Sequence, residues 1–247
     1  PFYVMERLEG RVFSDCSLPG MTGDERRAIY LDMARTLARL HAVRPDKVGL
    51  DGFGKSGNYF ARQIARWSQQ YLDSPGPRIA DLDWLVDWLP ANMPADDGAV
   101  SIAHGDFRLG NLMFHPTAPR VIAVLDWELA TLGHPLADLG FCVMPWNSAP
   151  DEYGGIMGTD WAGAGIPTQA EFVAEYMDHA RPTAALRPFH IAFALFRFAV
   201  IFVGIADRAR AGSAAADNAA SLGALAPRFA ARAREVIART HHTGSGS

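Results

Sequence analysis

Cysteine is scarce. Cys16 and Cys142 are the only two in 247 residues, they lie far apart, and neither belongs to a Cys-x-x-Cys pair. A disulfide framework and a thiolate zinc site are thereby excluded, and a reducing compartment is implied, so a cytoplasmic location is expected. Basic tracts are also missing: the net charge is −4 and the isoelectric point lies near 6.1. The electrostatic footprint of a nucleic-acid binder is not there, and no nucleic-acid partner is expected. The opening PFYVMERLEG has no basic segment and no small-residue cleavage site, so no secretory leader is expected in it. Internal repeats and low-complexity linkers are lacking. One apolar run, Phe189 to Ala206, is long, but it contains His190 and Arg197. An arginine in mid-span is expensive in lipid, so this run is expected to be a helix buried in a protein core, with no membrane partner.

What is present is enough to build a large core: 49% of the residues are hydrophobic. Phe2 to Met5 reads as a short strand beginning in mid-domain, which suggests that an N-terminal portion lies outside this chain. Met21 to Ala42 reads as an amphipathic helix, with a capping-box pattern at Thr22 and Glu25 and apolar residues Ile29, Met33, Leu37 and Leu40 at helical spacing. Further helices are expected at Tyr59 to Leu72 and Asp81 to Leu89. Val100 to Ala103 is a small apolar run, and Asn111 to Phe114 and Val121 to Leu125 read as two strands joined by a turn at Pro116 to Arg120. The remainder reads as helices over about 168–180, 184–211 and 216–239, with a loop and helix start within 211–226 and a flexible tail over 241–247.

The stretch GLDGFGKSGN, 49–58, satisfies the phosphate-binding pattern G-x-x-x-x-G-K-[ST] through Gly49, Gly54, Lys55 and Ser56, and also the dinucleotide pattern G-x-G-x-x-G. A phosphate loop of that kind works at the junction of a buried strand and a helix. Here the preceding residues end a helix and turn at Arg44-Pro45-Asp46-Lys47. The reading adopted is a loop between helices, with Asn58 as the N-cap of the next one. A P-loop nucleoside triphosphatase using Lys55 and Ser56 stands as the disfavoured alternative.

The segment SIAHGDFRLGNLMFHPTAPRVIAVLDWELATLGHPLADLG is more specific. Asp106 and Asn111 are spaced as H-x-D-x-x-x-x-N, a hairpin follows, and Asp126 ends its second strand. Kinase chemistry asks for this pattern. A loop aspartate orients, and accepts the proton of, an attacking hydroxyl. An asparagine and a second aspartate supply hard oxygen ligands for Mg²⁺, and the hairpin fixes their separation. Arg108 is placed to face the negative charge of the transferred group. His104 is read as a brace for the loop, and Asp138 as an anchor accepting its N–H groups. Taken singly, Asp106 could be a turn residue, Asn111 a strand-edge cap and Asp126 a helix N-cap. Three such residues at these spacings, joined by a hairpin, favour function. Glu128 either assists the metal site or points to solvent, and His115 and His134 are read as structural.

At these residues the chain resembles the aminoglycoside phosphotransferase family of the protein-kinase-like superfamily, through HGDFRLGN (104–111), VLDWE (124–128) and HPLADLG (134–140). A wider set, PFYVMERLEG, ARLHAV, GNYFARQ, DWLPANMP and LFRFAVI, is similar to one branch, the kinase-like domains found alone in bacteria or fused to acyl-CoA dehydrogenases. The resemblance covers nearly the whole chain. It implies a mainly α fold with a small catalytic β-hairpin, the C-terminal lobe of a protein-kinase-like fold with the N-terminal lobe largely absent. Residues 1–10 would be an interlobe strand and hinge remnant, and 11–240 the lobe itself, with the catalytic loop and metal hairpin within 100–140. It further implies ATP and Mg²⁺ as cofactors and a small hydroxylated molecule as substrate. Asp106 would be the catalytic base, Asn111 and Asp126 metal ligands, and Met5, Glu6, Arg7 and Leu8 the residues meeting the adenine. Hydroxyacyl-CoA compounds are the implied acceptors, ahead of aminoglycosides. Two departures stand out. Position 110 is glycine where the branch usually carries aspartate. The lobe bearing the phosphate-covering loop and phosphate-gripping lysine is not in this sequence, so the chain alone is expected to be inactive or weak. A non-catalytic kinase-like module that binds an acyl-CoA or a partner protein is the other alternative.

Overall fold

The computed structural model of the chain describes residues 6–55, 57–180, 184–212 and 219–243. The expected strand at Phe2 to Met5, the adenine contact assigned to Met5, and Ser56 lie outside the described residues.

Helix α1 (Gly23–Ala42) begins where the sequence supplies a reciprocal cap. Thr22 Oγ1 accepts from Glu25 N–H at 3.3 Å, and the Glu25 carboxylate accepts from Thr22 N–H at 2.9 Å. The same device at Thr168 and Glu171 starts α5 (Gln169–His179), which packs along α1. Helix α2 (Tyr59–Leu72) starts differently from expectation. Asn58 precedes it in the left-handed region, φ 47°, and its side chain makes no capping bond. An N-cap works from extended backbone, which aims its oxygen at the first-turn N–H groups; the left-handed turn removes that aim. Asn58 N–H instead donates to Asp96 Oδ2 at 2.7 Å. Helix α3 (Ala80–Ala91) ends just after Pro90.

Four short strands follow. β1 (Ser101–Ala103) pairs antiparallel with β4 (Thr131–Gly133), and β2 (Leu112–Phe114) pairs with β3 (Val121–Val124) in the expected hairpin, with a bulge at Met113/Phe114. β4 was not foreseen. Asn111 closes a 3₁₀ turn, Leu109–Asn111, rather than opening the strand. Two outside contacts tie the hairpin down. Buried Asp32 of α1 accepts Val121 N–H at 2.7 Å, and Arg11 exchanges two backbone bonds of 2.8 Å with Phe114. Thus the segment after Gly10 is clipped to the edge of β2.

Helix α4 (Pro135–Cys142) follows β4 immediately, with His134 as its cap: the imidazole accepts from Leu136 N–H at 3.2 Å. Helix α6 (Pro188–Arg210) is the centre of the core. It is apolar and long enough to cross a bilayer by length and composition, with a mean hydropathy of 2.2, and 78% of that window is buried inside the protein. It packs on α4, α7 (Ala219–Gly223) and α8 (Ala226–Thr243), with Phe193, Phe196, Phe202 and Phe229 almost fully buried. The expected helix over 216–239 is therefore two helices, and α8 runs three residues into the expected tail; residues 244–247 lie outside the described set. The fold is mainly helical, with the strands confined to one patch.

Candidate active site

The site forms where the loop after β1 meets the end of β3. The β2–β3 ladder continues one step beyond the strands, with Leu125 N–H donating to Asn111 carbonyl at 2.8 Å. Asp126 comes next, at φ 63° and ψ 64°. A left-handed backbone is unusual for a side-chain-bearing residue, though aspartate tolerates it, and such strain persists where the surroundings enforce it. Among the described residues no protein group bonds the Asp126 carboxylate, which is exposed.

The loop after β1 is held at the N–H groups of His104, Gly105 and Asp106 and at the carbonyls of Gly105, Asp106 and Phe107. Asp138, 1% exposed on α4, accepts His104 N–H at 2.6 Å on one oxygen and Gly105 N–H at 2.9 Å on the other. Asp106 N–H donates to His104 Nδ1 at 3.2 Å, so the imidazole proton resides on Nε2, which donates to Leu125 carbonyl at 2.9 Å. His104 thereby joins the loop to the residue preceding Asp126. The Cys142 thiol donates to Phe107 carbonyl at 3.1 Å. Arg197 of α6 donates to Gly105 carbonyl at 2.5 Å. Gly105 itself is at φ 84°, and a Cβ there would stand 2.8 Å from Leu129 carbonyl oxygen, so only glycine fits.

The Asp106 side chain faces outward from this frame. Its Oδ2 accepts Asn111 Nδ2 at 2.7 Å and Arg108 Nε at 3.3 Å, while Asn111 Nδ2 also reaches Asp106 carbonyl at 2.9 Å. Asn111, with its amide nitrogen occupied, keeps its Oδ1 for another partner. Asp106 Oδ1 has no bond partner among the described residues, and the Asp106 side chain is 22% exposed.

Asp138 carries two opposing influences. Burial pushes its carboxyl upward, but the hydrogen bond and charge of His41, 3.3 Å away, with the Gly105 and His104 N–H groups, outweigh burial and hold it below the ordinary carboxylate value. His41 is oriented in turn by Tyr176, 2.7 Å away.

A divalent cation has a plausible donor set here. No group of three or more His, Cys, Asp and Glu side chains clusters for a metal among the described residues. Asn111 Oδ1 and the unbonded Asp126 carboxylate are hard oxygens, and Mg²⁺ is usually bound by one or two protein carboxylates, its other positions going to phosphates and water. The residues fit that ion.

Arg108 folds back over the loop, its guanidinium near Asp106 and 5.9 Å from the Tyr153 ring centroid. The glycine at 110 permits this, since a Cβ there would meet Arg108 Nη1 at 2.7 Å. Beside Arg108 opens a cleft lined by Tyr30, Met33, Phe141, Met144, Phe198 and Phe229. Its one lining acid, Glu152, is bound by Arg228 at 3.0 Å and Arg232 at 2.9 Å.

Of the other expected site residues, Glu6, Arg7 and Leu8 are exposed and irregular, next to the Arg11 clip but outside the loop network. Glu128 is exposed in a 3₁₀ turn after Asp126. His115 caps the hairpin turn by accepting from Thr117 and Ala118 N–H groups. No strand leads into the 49–58 loop; a 3₁₀ turn at Pro45–Lys47 does, and Lys55 is exposed. The P-loop context is missing. Gly54 instead packs on β4, where a Cβ would come within 2.7 Å of Leu132 N. Sequence reasoning missed His41, Cys142 and Arg197 as partners of the loop. Only Arg197 gave a signal: a lone charge in an apolar helix needs a buried partner.

The model of the phosphotransferase enzyme family matches residues 1–189. Among curated proteins, "Probable acyl-CoA dehydrogenase IBR3" of Arabidopsis thaliana is 41% identical over 252 residues, covering 96% of this chain and 31% of its own length. "Acyl-CoA dehydrogenase family member 11" of Homo sapiens is 37% identical over 224 residues, covering 88% and 28%. The chain thus spans about a third or less of these relatives. A crystal structure titled a putative aminoglycoside phosphotransferase, from Ralstonia eutropha JMP134, superposes with a TM-score of 0.91 at 46% identity, covering 95% of this chain and 72% of that one. Choline kinase from Cryptosporidium parvum shares the fold at 11% identity, with a TM-score of 0.63 and coverage of 97% and 71%.

Proposed function

This chain belongs to the phosphotransferase enzyme family, and we propose that it transfers the γ-phosphoryl group of ATP, with Mg²⁺, to a hydroxyl of a small molecule. In this reading residues 11–240 form the C-terminal lobe of the kinase-like fold, residues 1–10 lead in from the hinge, and Glu6, Arg7 and Leu8, with Met5, lie against the adenine. The observation that carries the proposal is the Asp106 carboxylate: one oxygen is fixed by Asn111 and Arg108, and the other is left without a protein partner.

The free Oδ1 accepts the hydrogen bond of the substrate hydroxyl and turns its lone pair toward the γ-phosphorus. As the new O–P bond forms, the bond to the β–γ bridging oxygen breaks and its electron pair leaves with ADP. The hydroxyl proton passes to Asp106 and then to solvent. Asn111 and Asp126 would hold the Mg²⁺ ion, which supplies charge neutralisation at the phosphates. Arg108 lies near enough to the loop to balance charge on the transferred group. His104 and Asp138 hold the loop that presents Asp106.

A hydroxylated acyl-CoA suits the adjoining cleft better than an aminoglycoside. An aminoglycoside carries several ammonium groups and calls for free carboxylates. The cleft is lined by aromatic and methionine side chains, and its acid is already paired. Two relatives named acyl-CoA dehydrogenases point the same way.

The test is a screen of hydroxyacyl-CoAs and aminoglycosides with MgATP in the full-length protein, run beside two variants. Asp106→Asn is expected to lower kcat by about 10²–10⁴-fold, the usual contribution of a positioned proton acceptor. Lys55→Ala is expected to stay within about twofold, because an exposed loop residue lacking P-loop context grips no phosphate. Full turnover by Asp106→Asn, or collapse with Lys55→Ala, would overturn the assignment.

A further inference from the structure

Arg197 is a buried cation whose place in the fold is not explained by stability. It is 8% exposed in the centre of α6. No carboxylate lies within ion-pair distance of it among the described residues, and its Nε has no hydrogen-bond partner. Burying a charge without a direct counter-ion costs several kcal/mol in general, and an apolar side chain of similar size is often as stable or more so. The guanidinium makes its shortest bond, 2.5 Å, to the carbonyl of Gly105, rests 5.3 Å from the Phe141 ring centroid, and has the Tyr59 hydroxyl as a second, neutral hydrogen-bond partner.

That carbonyl belongs to the peptide unit entering Asp106. The N–H of the same unit is held by His104 Nδ1 at 3.2 Å. The preceding N–H, that of Gly105, is held by Asp138 at 2.9 Å. Two buried charges of opposite sign, one from α4 and one from α6, therefore grip the two sides of Gly105. This residue most needs gripping, since a glycine at φ 84° has wide backbone freedom and a rotation there would swing Asp106.

We propose that Arg197 is a positioning residue for phosphoryl transfer: it fixes the plane of the Gly105–Asp106 peptide and so sets the direction of the Asp106 carboxylate. The proposal rests on the reading of Asp106 given above. It makes α6, the core helix, the third support of the loop beside α4 and the hairpin. The misplacement it prevents is small in distance and large in consequence, because an error of about 1 Å in a reacting group can cost about 10²-fold in rate.

The test uses full-length protein, MgATP with water as the acceptor, and the variants Arg197→Met, Arg197→Lys and Asp106→Asn. Melting temperature and amide hydrogen exchange over residues 104–111 are measured alongside the kinetics. Arg197→Met is expected to lose about 10–100-fold in kcat with KM for MgATP within about threefold. Its melting temperature should stay near wild type, and faster exchange should be confined to 104–111. Arg197→Lys, which keeps one donor for the carbonyl, is expected to recover part of the loss and covers the case in which the methionine variant folds poorly. A kcat within about twofold of wild type for Arg197→Met, with unchanged loop exchange, overturns the proposal. So does a loss that follows the unfolded fraction, with exchange rising evenly and no recovery by lysine. If Asp106→Asn turns over like wild type, it is the assignment of Asp106 that fails; exchange over 104–111 then still decides whether Arg197 holds the loop.

Discussion

Replacing Asp138 by alanine is the sharpest perturbation of the loop that avoids its reacting groups. The carboxylate is buried and satisfies two N–H donors, those of His104 and Gly105, while facing His41. Each buried donor left without an acceptor costs about 1–3 kcal/mol, so stranding both N–H groups costs about 3–5 kcal/mol in all. For a domain of this size about 1 kcal/mol moves the melting temperature by about 2–4 °C, so a fall of about 6–20 °C is expected at neutral pH. The acid limb of the stability curve supplies a second check. Because the native carboxyl is held below its ordinary value, its contribution is complete above that value, near about 3.9, and is lost as pH falls through the depressed native value. The gap between wild type and Asp138→Ala should therefore be steady from about pH 8 to 5, as far as this carboxyl sets it, and narrow below about pH 4. Thermal unfolding followed by circular dichroism across that range reads both. A melting temperature within about 2 °C of wild type at pH 7, or a gap that widens on acidification, would refute the account of Asp138 as a charged anchor.

Two further expectations concern regions outside the loop. Glu152→Gln removes the charge that Arg228 and Arg232 share and should lower stability by about 1–3 kcal/mol, read as a lower urea midpoint at unchanged slope; an unaltered midpoint would show that the network contributes nothing. Burial pushes the Cys142 thiol up, and burial with the nearby Asp15 charge raises Cys16 to about 11. Both thiols should therefore resist iodoacetamide at pH 7.5 in the native protein and react together after unfolding, and rapid native labelling of either would contradict the burial described.

The features legible in the sequence were those whose signal is local. The capping box at Thr22 and Glu25 marked the start of α1, and the β-branched residues Val121, Ile122 and Val124, after a turn at Pro116 to Arg120, marked the hairpin. The spacing of Asp106 and Asn111 put them on one loop, where the structure joins them by a hydrogen bond of 2.7 Å. What escaped depends on partners distant in the chain. β4 is three residues, Thr131, Leu132 and Gly133, too short for a period, and exists because Ser101 to Ala103 pairs with it. Asn58 has the composition of an N-cap, but Asp96 captures its backbone N–H and the left-handed turn carries its side chain away from the helix. The break between α7 and α8 carries a sequence signal, Gly223 at the end of one helix and Pro227 in the first turn of the next; the expected loop and helix start within 211–226 used it, and the expected continuous helix over 216–239 passed over it.

Arg197 marks the limit most clearly, because its signal was visible while its meaning was not. A single arginine inside Phe189 to Ala206 was enough to disfavour a lipid span, and a charge buried in a core needs a partner. Sequence could not say which partner, since the candidates were every buried carbonyl and carboxylate of the fold. The structure selects a backbone carbonyl next to Asp106 rather than an acid. That choice separates a residue kept for stability, for which a carboxylate partner or an apolar replacement would serve, from one whose shortest bond holds a glycine in place.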